Sequence, residues 1–107
     1  MRVTGGAARG RALTVPSGTR PMTARMREAL FAILDNALGR VPGEIYGGLQ
    51  GRSFLDLFAG SGLISAEAAS RGAGPITAVE RDPHKRRFIL SNLTIVGVEA
   101  TVIGKYK

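Results

Sequence analysis

Residues 54–62, FLDLFAGSG, decide the fold of this chain of 107 residues. The first five are mostly apolar and lead directly into a turn that contains Gly60 and Gly62. A short apolar run that ends in a glycine turn is typical of a buried strand followed by the start of a helix. Asp56 stands four residues ahead of the first glycine, so the sequence brings a carboxylate close to an unhindered stretch of backbone.

Beyond this turn, segments with the character of strands and helices alternate. The predicted elements are a strand at 54–58, a helix at 63–71, a strand at 76–79, a helix from Pro83 to Gly97 and a strand at 100–103. Such alternation indicates parallel pairing with right-handed crossovers. The sequence therefore predicts an α/β fold in which residues 53–107 form only the first half of a doubly wound sheet.

Three segments precede the sheet. Residues 1–22 hold short β-prone pieces among glycines and arginines, which predicts a basic ribbon or hairpin. Residues 23–39 have helical periodicity, with Thr23 placed to cap the start and Gly39 to end it, which predicts an amphipathic helix. Its apolar positions are Met26, Leu30, Ile33, Leu34, Ala37 and Leu38. Residues 40–52 are rich in glycine, which predicts a loop.

The charge distribution favours a polyanionic partner. The net charge is +7, and six arginines precede the first acid, Glu28. They are Arg2, Arg9, Arg11, Arg20, Arg25 and Arg27. A basic arm of this kind is typical of proteins that bind nucleic acid. The alternative is a solvated basic face that only keeps the protein soluble.

Other bulk properties narrow the class of protein. Apolar residues make up 44% of the chain, but no apolar run approaches the roughly 20 residues that span a bilayer. We therefore expect a globular protein of the cytoplasm with no membrane partner. The chain has no cysteine, which excludes disulfides and thiolate metal sites, and we expect no metal site.

The glycine turn and a second acid predict a nucleoside-cofactor site. In doubly wound folds, ligands bind at the carboxyl ends of the strands, where the first loop offers backbone N–H groups. Here that loop consists of Ala59, Gly60, Ser61 and Gly62. Glu80 follows the first glycine by about twenty residues and ends the second predicted strand, the spacing at which a carboxylate accepts the hydroxyls of an adenosine ribose.

Asp56 favours one cofactor over another. A dinucleotide places its pyrophosphate at the glycine turn, where a carboxylate would repel it. S-adenosylmethionine places a sulfonium and an ammonium group there, which a carboxylate attracts. The sequence thus favours S-adenosylmethionine, with a nicotinamide-dependent oxidoreductase as a weaker rival. Asp56 has an alternative role as an acceptor of backbone N–H groups of the loop.

Two longer segments carry a family resemblance. RGRALTVPSGTRPMTARMREALFAIL and FLDLFAGSGLISAEAASRGAGPITAVERD together resemble bacterial methyltransferases that modify the exocyclic N2 amine of one guanine in 16S ribosomal RNA. That family has a basic ribbon, an R-P-T-T-x-R-x-R-E helix start and an L-D-L-F-A-G-S-G turn. Met22 replaces the first threonine of the helix start, and Ser65 replaces the third glycine of the dinucleotide fingerprint. The resemblance implies a Rossmann-like methyltransferase that depends on S-adenosylmethionine.

The resemblance also implies roles for individual residues. Asp56 and the residues from Ala59 to Gly62 would hold the methionine part of the cofactor, and Glu80 its ribose. Thr23 and Arg25 fall in the segment that packs over the methionine end, although Thr23 could be only a helix cap. The arginines that would meet RNA phosphates, unless they are merely solvated, are Arg9, Arg11, Arg20 and Arg27. The partner would be 16S ribosomal RNA or a small-subunit assembly particle.

The catalytic segment of the family has no counterpart in the sequence. In the family an Asp/Asn-Pro-Pro-Tyr/Phe segment aims the amine and stacks on the base, whereas no Pro-Pro occurs here. We therefore expect an N-terminal part of a methyltransferase, with no catalytic residue in this chain. Its half sheet would leave an edge and apolar faces uncovered, which predicts self-association. The alternative is a noncatalytic module that binds RNA and retains S-adenosylmethionine binding.

Overall fold

The computed structural model describes residues 1–39 and 48–105. Its elements are α1 (Ala24–Ala37), β1 (Phe54–Asp56), α2 (Leu63–Ser70), β2 (Ile76–Val79), α3 (Pro83–Ile95) and β3 (Thr101–Ile103). The predicted alternation of strands and helices is therefore present, although β1 ends two residues earlier than expected. Most of the predicted loop at 40–52 lies outside the described residues. No helix in the described ranges is long and apolar enough to cross a membrane.

The three strands form one parallel sheet in the order β1-β2-β3. Because side chains alternate along a strand, one face carries Phe54, Ile76 and Ala78, which pack in the hydrophobic core. The opposite face carries Leu55, which is 52% exposed. The sheet is thus covered on one side, and among the described strands β1 and β3 lie at its two edges.

A glycine allows α2 and α3 to approach each other beside the turn. Gly62, the N-cap of α2, has a φ of 85°, a left-handed conformation that favours glycine. A Cβ atom at this position would lie 3.0 Å from the Cα atom of Ile89 in α3. Gly62 therefore satisfies both a backbone requirement and a packing requirement at the start of α2.

The predicted amphipathic helix is α1, but its buried side differs from the expected one. Thr23 caps the helix, since its hydroxyl accepts the N–H of Met26 at 3.1 Å. Arg27 and Phe31 are the buried residues of α1, whereas Met26 and Ile33 are 58% and 67% exposed. The prediction that Met26 and Ile33 lie on the core face was wrong because α1 turns Arg27 towards a buried carboxylate on α2.

The N-terminal ribbon is antiparallel and docks on α2. Val3 donates its N–H to the Arg11 carbonyl at 3.0 Å, and the strand-like pairing consists of one antiparallel bridge between Arg2 and Ala12. The predicted hairpin is thus present as a short bridge without regular strands. Gly6 has a φ of 80°, and a Cβ atom there would lie 1.9 Å from the Ser70 carbonyl oxygen, so the ribbon lies directly against the end of α2.

Candidate functional site

Glu80 lies at the carboxyl end of β2 and reaches back to the glycine turn. Its Oε1 atom accepts the N–H of Gly60 at 2.9 Å, and its Oε2 atom accepts the N–H of Asp82 at 2.9 Å. The carboxylate thereby links the loop after β1 to the loop after β2. An ionised carboxylate has about four acceptor sites, so two such bonds leave capacity for hydroxyl donors.

Asp56 lies at the end of the neighbouring strand. Its Oδ2 atom accepts the hydroxyl of Ser65 at 2.8 Å. Burial raises the pKa of Asp56 above its ordinary value of 3.8; the hydrogen bonds from Ser65 and the Phe58 N–H oppose this, and the negative charge of Glu80 adds to it. A cation placed beside this carboxylate would favour its charged form.

Two cavities adjoin the loop that joins β1 to α2; Glu80 lines one of them, and Asp56 is among the lining residues of neither. The sheet-edge cavity has a volume of ≈ 510 Å³ and is lined by Leu57, Phe58, Val79, Glu80, Arg81 and Lys105. The turn cavity has a volume of ≈ 200 Å³ and lies between residues 19–22 and the glycine turn; its lining includes Arg20, Gly60 and Ser61. Space for a ligand thus exists on both sides of the loop that joins β1 to α2.

Asn92 fixes the back of the glycine turn. This buried side chain donates to the carbonyls of Ser61 and Thr14, each at 2.8 Å, and its Oδ1 atom accepts the Thr14 N–H at 2.8 Å. One amide on α3 therefore joins the turn to the ribbon. Nothing in the sequence distinguishes this asparagine from a solvated one, and the prediction missed it.

An anchor cluster of Arg27, Asp35, Glu67 and Arg71 lies apart from the cavities. Glu67 is buried, and its carboxylate accepts Arg27 Nε at 2.9 Å, Arg71 Nε at 3.0 Å and the backbone N–H of Thr4 at 3.0 Å. Burial alone would raise the pKa of Glu67, but the Thr4 N–H and the two guanidinium groups outweigh it and lower the pKa below its ordinary value of 4.5. This carboxylate joins the ribbon, α1 and α2.

The anchor cluster corrects one site prediction. Arg27 was expected to meet RNA phosphates, yet its side chain is 0% exposed and pairs with Glu67. A buried guanidinium in such a pair cannot reach a phosphate without breaking the core contact. Its position four residues before Phe31, on the same side of the helix, is the sequence signal that could have placed it in the core.

The other predicted residues outside the cofactor edge lie on the surface. Arg9, Arg11 and Arg20 are exposed, and Arg20 lines the turn cavity. Thr23 and Arg25 are also exposed, but neither is among the residues that line the two cavities. Within residues 1–39 and 48–105, no group of acidic or histidine side chains could hold a metal ion.

Ser65 is a site residue whose role the sequence concealed. It occupies the third position of the glycine pattern, where a dinucleotide-binding fold has glycine, so the sequence shows it only as a departure. The structure shows its hydroxyl bonded to Asp56. In a dinucleotide site, the glycine at this position allows close contact between helix and strand. Here Ser65 occupies the position and orients the carboxylate of Asp56 instead.

Comparison with known proteins identifies the family. Residues 1–106 match the family described as "Conserved hypothetical protein 95". The chain belongs to this family. It is also 40% identical over 107 residues to ribosomal RNA small subunit methyltransferase D of Escherichia coli strain K12, a match that covers 97% of this chain and 48% of that relative. The family resemblance drawn from the sequence is confirmed.

Solved structures of similar proteins confirm the fold. A hypothetical protein of Thermus thermophilus is 42% identical with a TM-score of 0.78 and is matched over 96% of this chain and 54% of its own. An Escherichia coli protein proposed to be a methyltransferase is 34% identical with a TM-score of 0.76, over 98% and 52% of the two chains. This family member therefore has the first half of the Rossmann-like methyltransferase fold. It spans about half the length of the curated relatives that it matches.

Proposed function

We propose that this chain is the cofactor-binding half of an RNA methyltransferase that depends on S-adenosylmethionine. The observation that carries the proposal is the pair of carboxylates at the carboxyl ends of adjacent strands, Asp56 and Glu80, on either side of a glycine turn. This candidate cofactor edge, defined as Asp56, the turn 59–62 and Glu80, is acidic where a pyrophosphate ligand requires donors. A cationic ligand with a ribose satisfies both carboxylates.

Each part of the cofactor edge has a task in this proposal. Glu80 accepts the ribose hydroxyls and keeps its bond to Gly60, because its two oxygens have acceptor sites to spare. Asp56, oriented by Ser65, attracts the positively charged methionine end. Gly60, where a Cβ atom would meet open space, lets the cofactor approach the backbone. Bound there, S-adenosylmethionine supplies an electrophilic methyl group.

RNA is the proposed substrate. The E. coli relative is named as a methyltransferase of small-subunit ribosomal RNA, and this chain shares 40% of its residues over the match. Arg9, Arg11 and Arg20 are exposed on the ribbon side of the molecule, where a phosphate backbone could bind them. The family resemblance extends the proposal to the exocyclic N2 amine of a guanine in 16S ribosomal RNA, either free or in an assembly particle, in the cytoplasm.

Methyl transfer itself requires more than this chain supplies. Acceptors that hold the amine and a ring that stacks on the base are needed, and the sequence has no Pro-Pro segment. We propose that the ribbon (1–22), the helix (23–39), the loop (40–52) and the half sheet (53–107) form the N-terminal part of the enzyme. In isolation, Leu55, Leu57 and the 92% exposed Phe58 would favour self-association through the uncovered sheet face.

Isothermal titration with S-adenosylmethionine tests the cofactor assignment. We expect Glu80→Gln to weaken binding by about 10-fold, because a hydrogen bond to a charged acceptor contributes about 1.5 kcal/mol or more. Glu99→Gln is the matched control, since this exposed glutamate just precedes β3 and lies away from the cofactor edge. Equal weakening by both variants would contradict the role of Glu80. Tighter binding of NAD than of S-adenosylmethionine would favour the oxidoreductase rival.

One observation supports a second candidate, a noncatalytic RNA-binding module that retains S-adenosylmethionine binding. The sequence has no segment that matches the catalytic one of the family. A methyl-transfer assay with tritiated cofactor and 16S ribosomal RNA separates the candidates when it is done with this chain and with a family-length protein. The enzyme proposal expects transfer only by the longer protein, whereas RNA binding without transfer by both would favour the module.

A further inference from the structure

The outward side of α3 is a polar surface that carries Arg87 and that the proposed cofactor and ribbon sites leave unused. His84, Arg87, Ser91 and Thr94 are exposed and follow one another at intervals of three and four residues, so they lie along one side of the helix. No acid occurs anywhere in α3. A helix of 13 residues is about 20 Å long, and this side therefore offers an extended polar surface without a carboxylate.

Both ends of α3 connect to other basic groups. At its carboxyl end, Arg11 of the ribbon donates Nη1 to the Ile95 carbonyl at 2.8 Å. At its amino end, exposed Arg81 lines the sheet-edge cavity together with Glu80 and Lys105. The basic strip, defined as Arg11, Arg81 and Arg87, thus runs from the ribbon to the mouth of the candidate cofactor edge.

The nearby charges leave this strip positive. Arg86 is engaged internally, because its Nη1 atom donates to the carbonyls of Glu80 and Arg81 at 2.8 and 2.9 Å. Asp82 precedes the helix and its Oδ1 atom accepts the His84 N–H as a cap. In the described part of the chain, the ion pairs involve Arg27 and Arg71, and none includes an arginine of α3. Arg87 is therefore available to an external anion.

We infer that the basic strip on α3 binds the phosphate backbone of RNA and leads it from the ribbon to the cofactor edge. This inference rests on the proposed function, since RNA is the proposed substrate. A membrane surface is the less suitable partner because a membrane-bound helix buries a broad apolar face. The exposed side of α3 instead carries Ser91 and Thr94 around a single exposed leucine, Leu90.

The salt dependence of RNA binding tests the strip. Each phosphate contact on a single strand contributes about 0.7 to the slope of log K against log salt. We therefore expect Arg87→Gln to reduce this slope by about 0.7 and Arg81→Gln/Arg87→Gln by about 1.4, measured by fluorescence anisotropy with a labelled single-stranded RNA of about 20 nucleotides. Arg52→Gln is the matched control, because it removes one exposed arginine at the opposite, amino-terminal end of β1 and should leave the slope unchanged.

The outcomes separate this inference from the proposed function. If the wild-type chain binds RNA and Arg87→Gln has the same slope as wild type or as Arg52→Gln, the strip is wrong and the RNA proposal stands. If the wild-type chain does not bind RNA at any salt concentration, both are wrong. A parallel titration uses vesicles of phosphatidylcholine and phosphatidylserine. Loss of vesicle binding in Arg87→Gln with unchanged RNA binding would assign the strip to a membrane instead.

Discussion

Asp56 and Glu67 are two carboxylates that the same fold places in opposite environments. Glu67 meets two guanidinium groups and backbone N–H groups, which lower its pKa. Asp56 is also withdrawn from water, but its side-chain partner is the neutral Ser65 and its charged neighbour is Glu80, so its pKa is raised. Glu67, whose charge is balanced by its partners, holds the ribbon, α1 and α2 together. Within the ranges that the structure describes, Asp56 has no positively charged partner and is therefore suited to attract a cationic ligand.

We expect the largest effect from a substitution of Glu67 in the anchor cluster. Glu67→Gln removes the charge that compensates buried Arg27, and leaving one partner of a buried pair alone costs about 3–5 kcal/mol. We expect a loss of that size in the free energy of unfolding, measured by urea denaturation. The control, Glu99→Gln, is exposed and should change it by less than about 0.5 kcal/mol. A loss of under about 1 kcal/mol for Glu67→Gln would contradict the anchoring role.

Two glycines with positive φ allow the packing beside the anchor cluster to be compared with the packing at the cofactor edge. Gly6 beside the anchor cluster has a φ of 80° and would place a Cβ atom 1.9 Å from the Ser70 carbonyl oxygen, whereas Gly60 at the cofactor edge has a φ of 57° and open space around it. We expect Gly6→Ala to cost about 2–4 kcal/mol from strain and overpacking, and Gly60→Ala about 1 kcal/mol from strain alone. Thermal unfolding of both variants gives the order, and a greater loss for Gly60→Ala would reverse the account of the two regions.

The smallest expected effect is on the pH dependence of stability. Glu67 has a lowered pKa, so its contribution is complete above its unfolded value of 4.5 and is lost as pH falls through the folded value. Asp56 has a raised pKa, so the folded state gains stability from it as pH falls towards 3.8. Urea denaturation between about pH 7 and pH 3.5 should therefore show a shallower acid loss in Glu67→Gln and a steeper one in Asp56→Asn. Identical slopes would contradict the opposite environments.

Local patterns in the sequence were sufficient for most of the fold. The limits of β2 were predicted at 76–79 and observed at Ile76–Val79, and α3 starts at the predicted Pro83. The glycine turn and the two strand-end acids also lie together as their positions at parallel strand ends require. Hydrophobic periodicity and the ends of elements at glycine and proline depend only on neighbouring residues, so they can be read from the sequence alone.

The sequence patterns could not predict the long-range polar contacts. Arg27 was assigned to RNA through the family resemblance, whereas its burial depends on Glu67, forty residues away. Asn92 likewise has its role only once Ser61 and Thr14 have been brought beside it. The rotation of α1 that exposes Met26 follows from the same Arg27 contact. Such pairings are tertiary: the spacing of Arg27 to Phe31 could indicate its side of the helix, but no spacing within a single segment identifies its partner.

The most direct test of the cofactor edge is the affinity of Asp56→Asn for S-adenosylmethionine, measured by isothermal titration beside the wild-type chain. If Asp56 attracts the cationic methionine end, removing its charge should weaken binding by about 10- to 100-fold, equivalent to about 1.4–2.7 kcal/mol. Unchanged thermal unfolding would assign the loss to the site rather than to the fold. Equal affinity of the two proteins for S-adenosylmethionine would contradict the assignment and leave Asp56 as an acceptor of the loop alone.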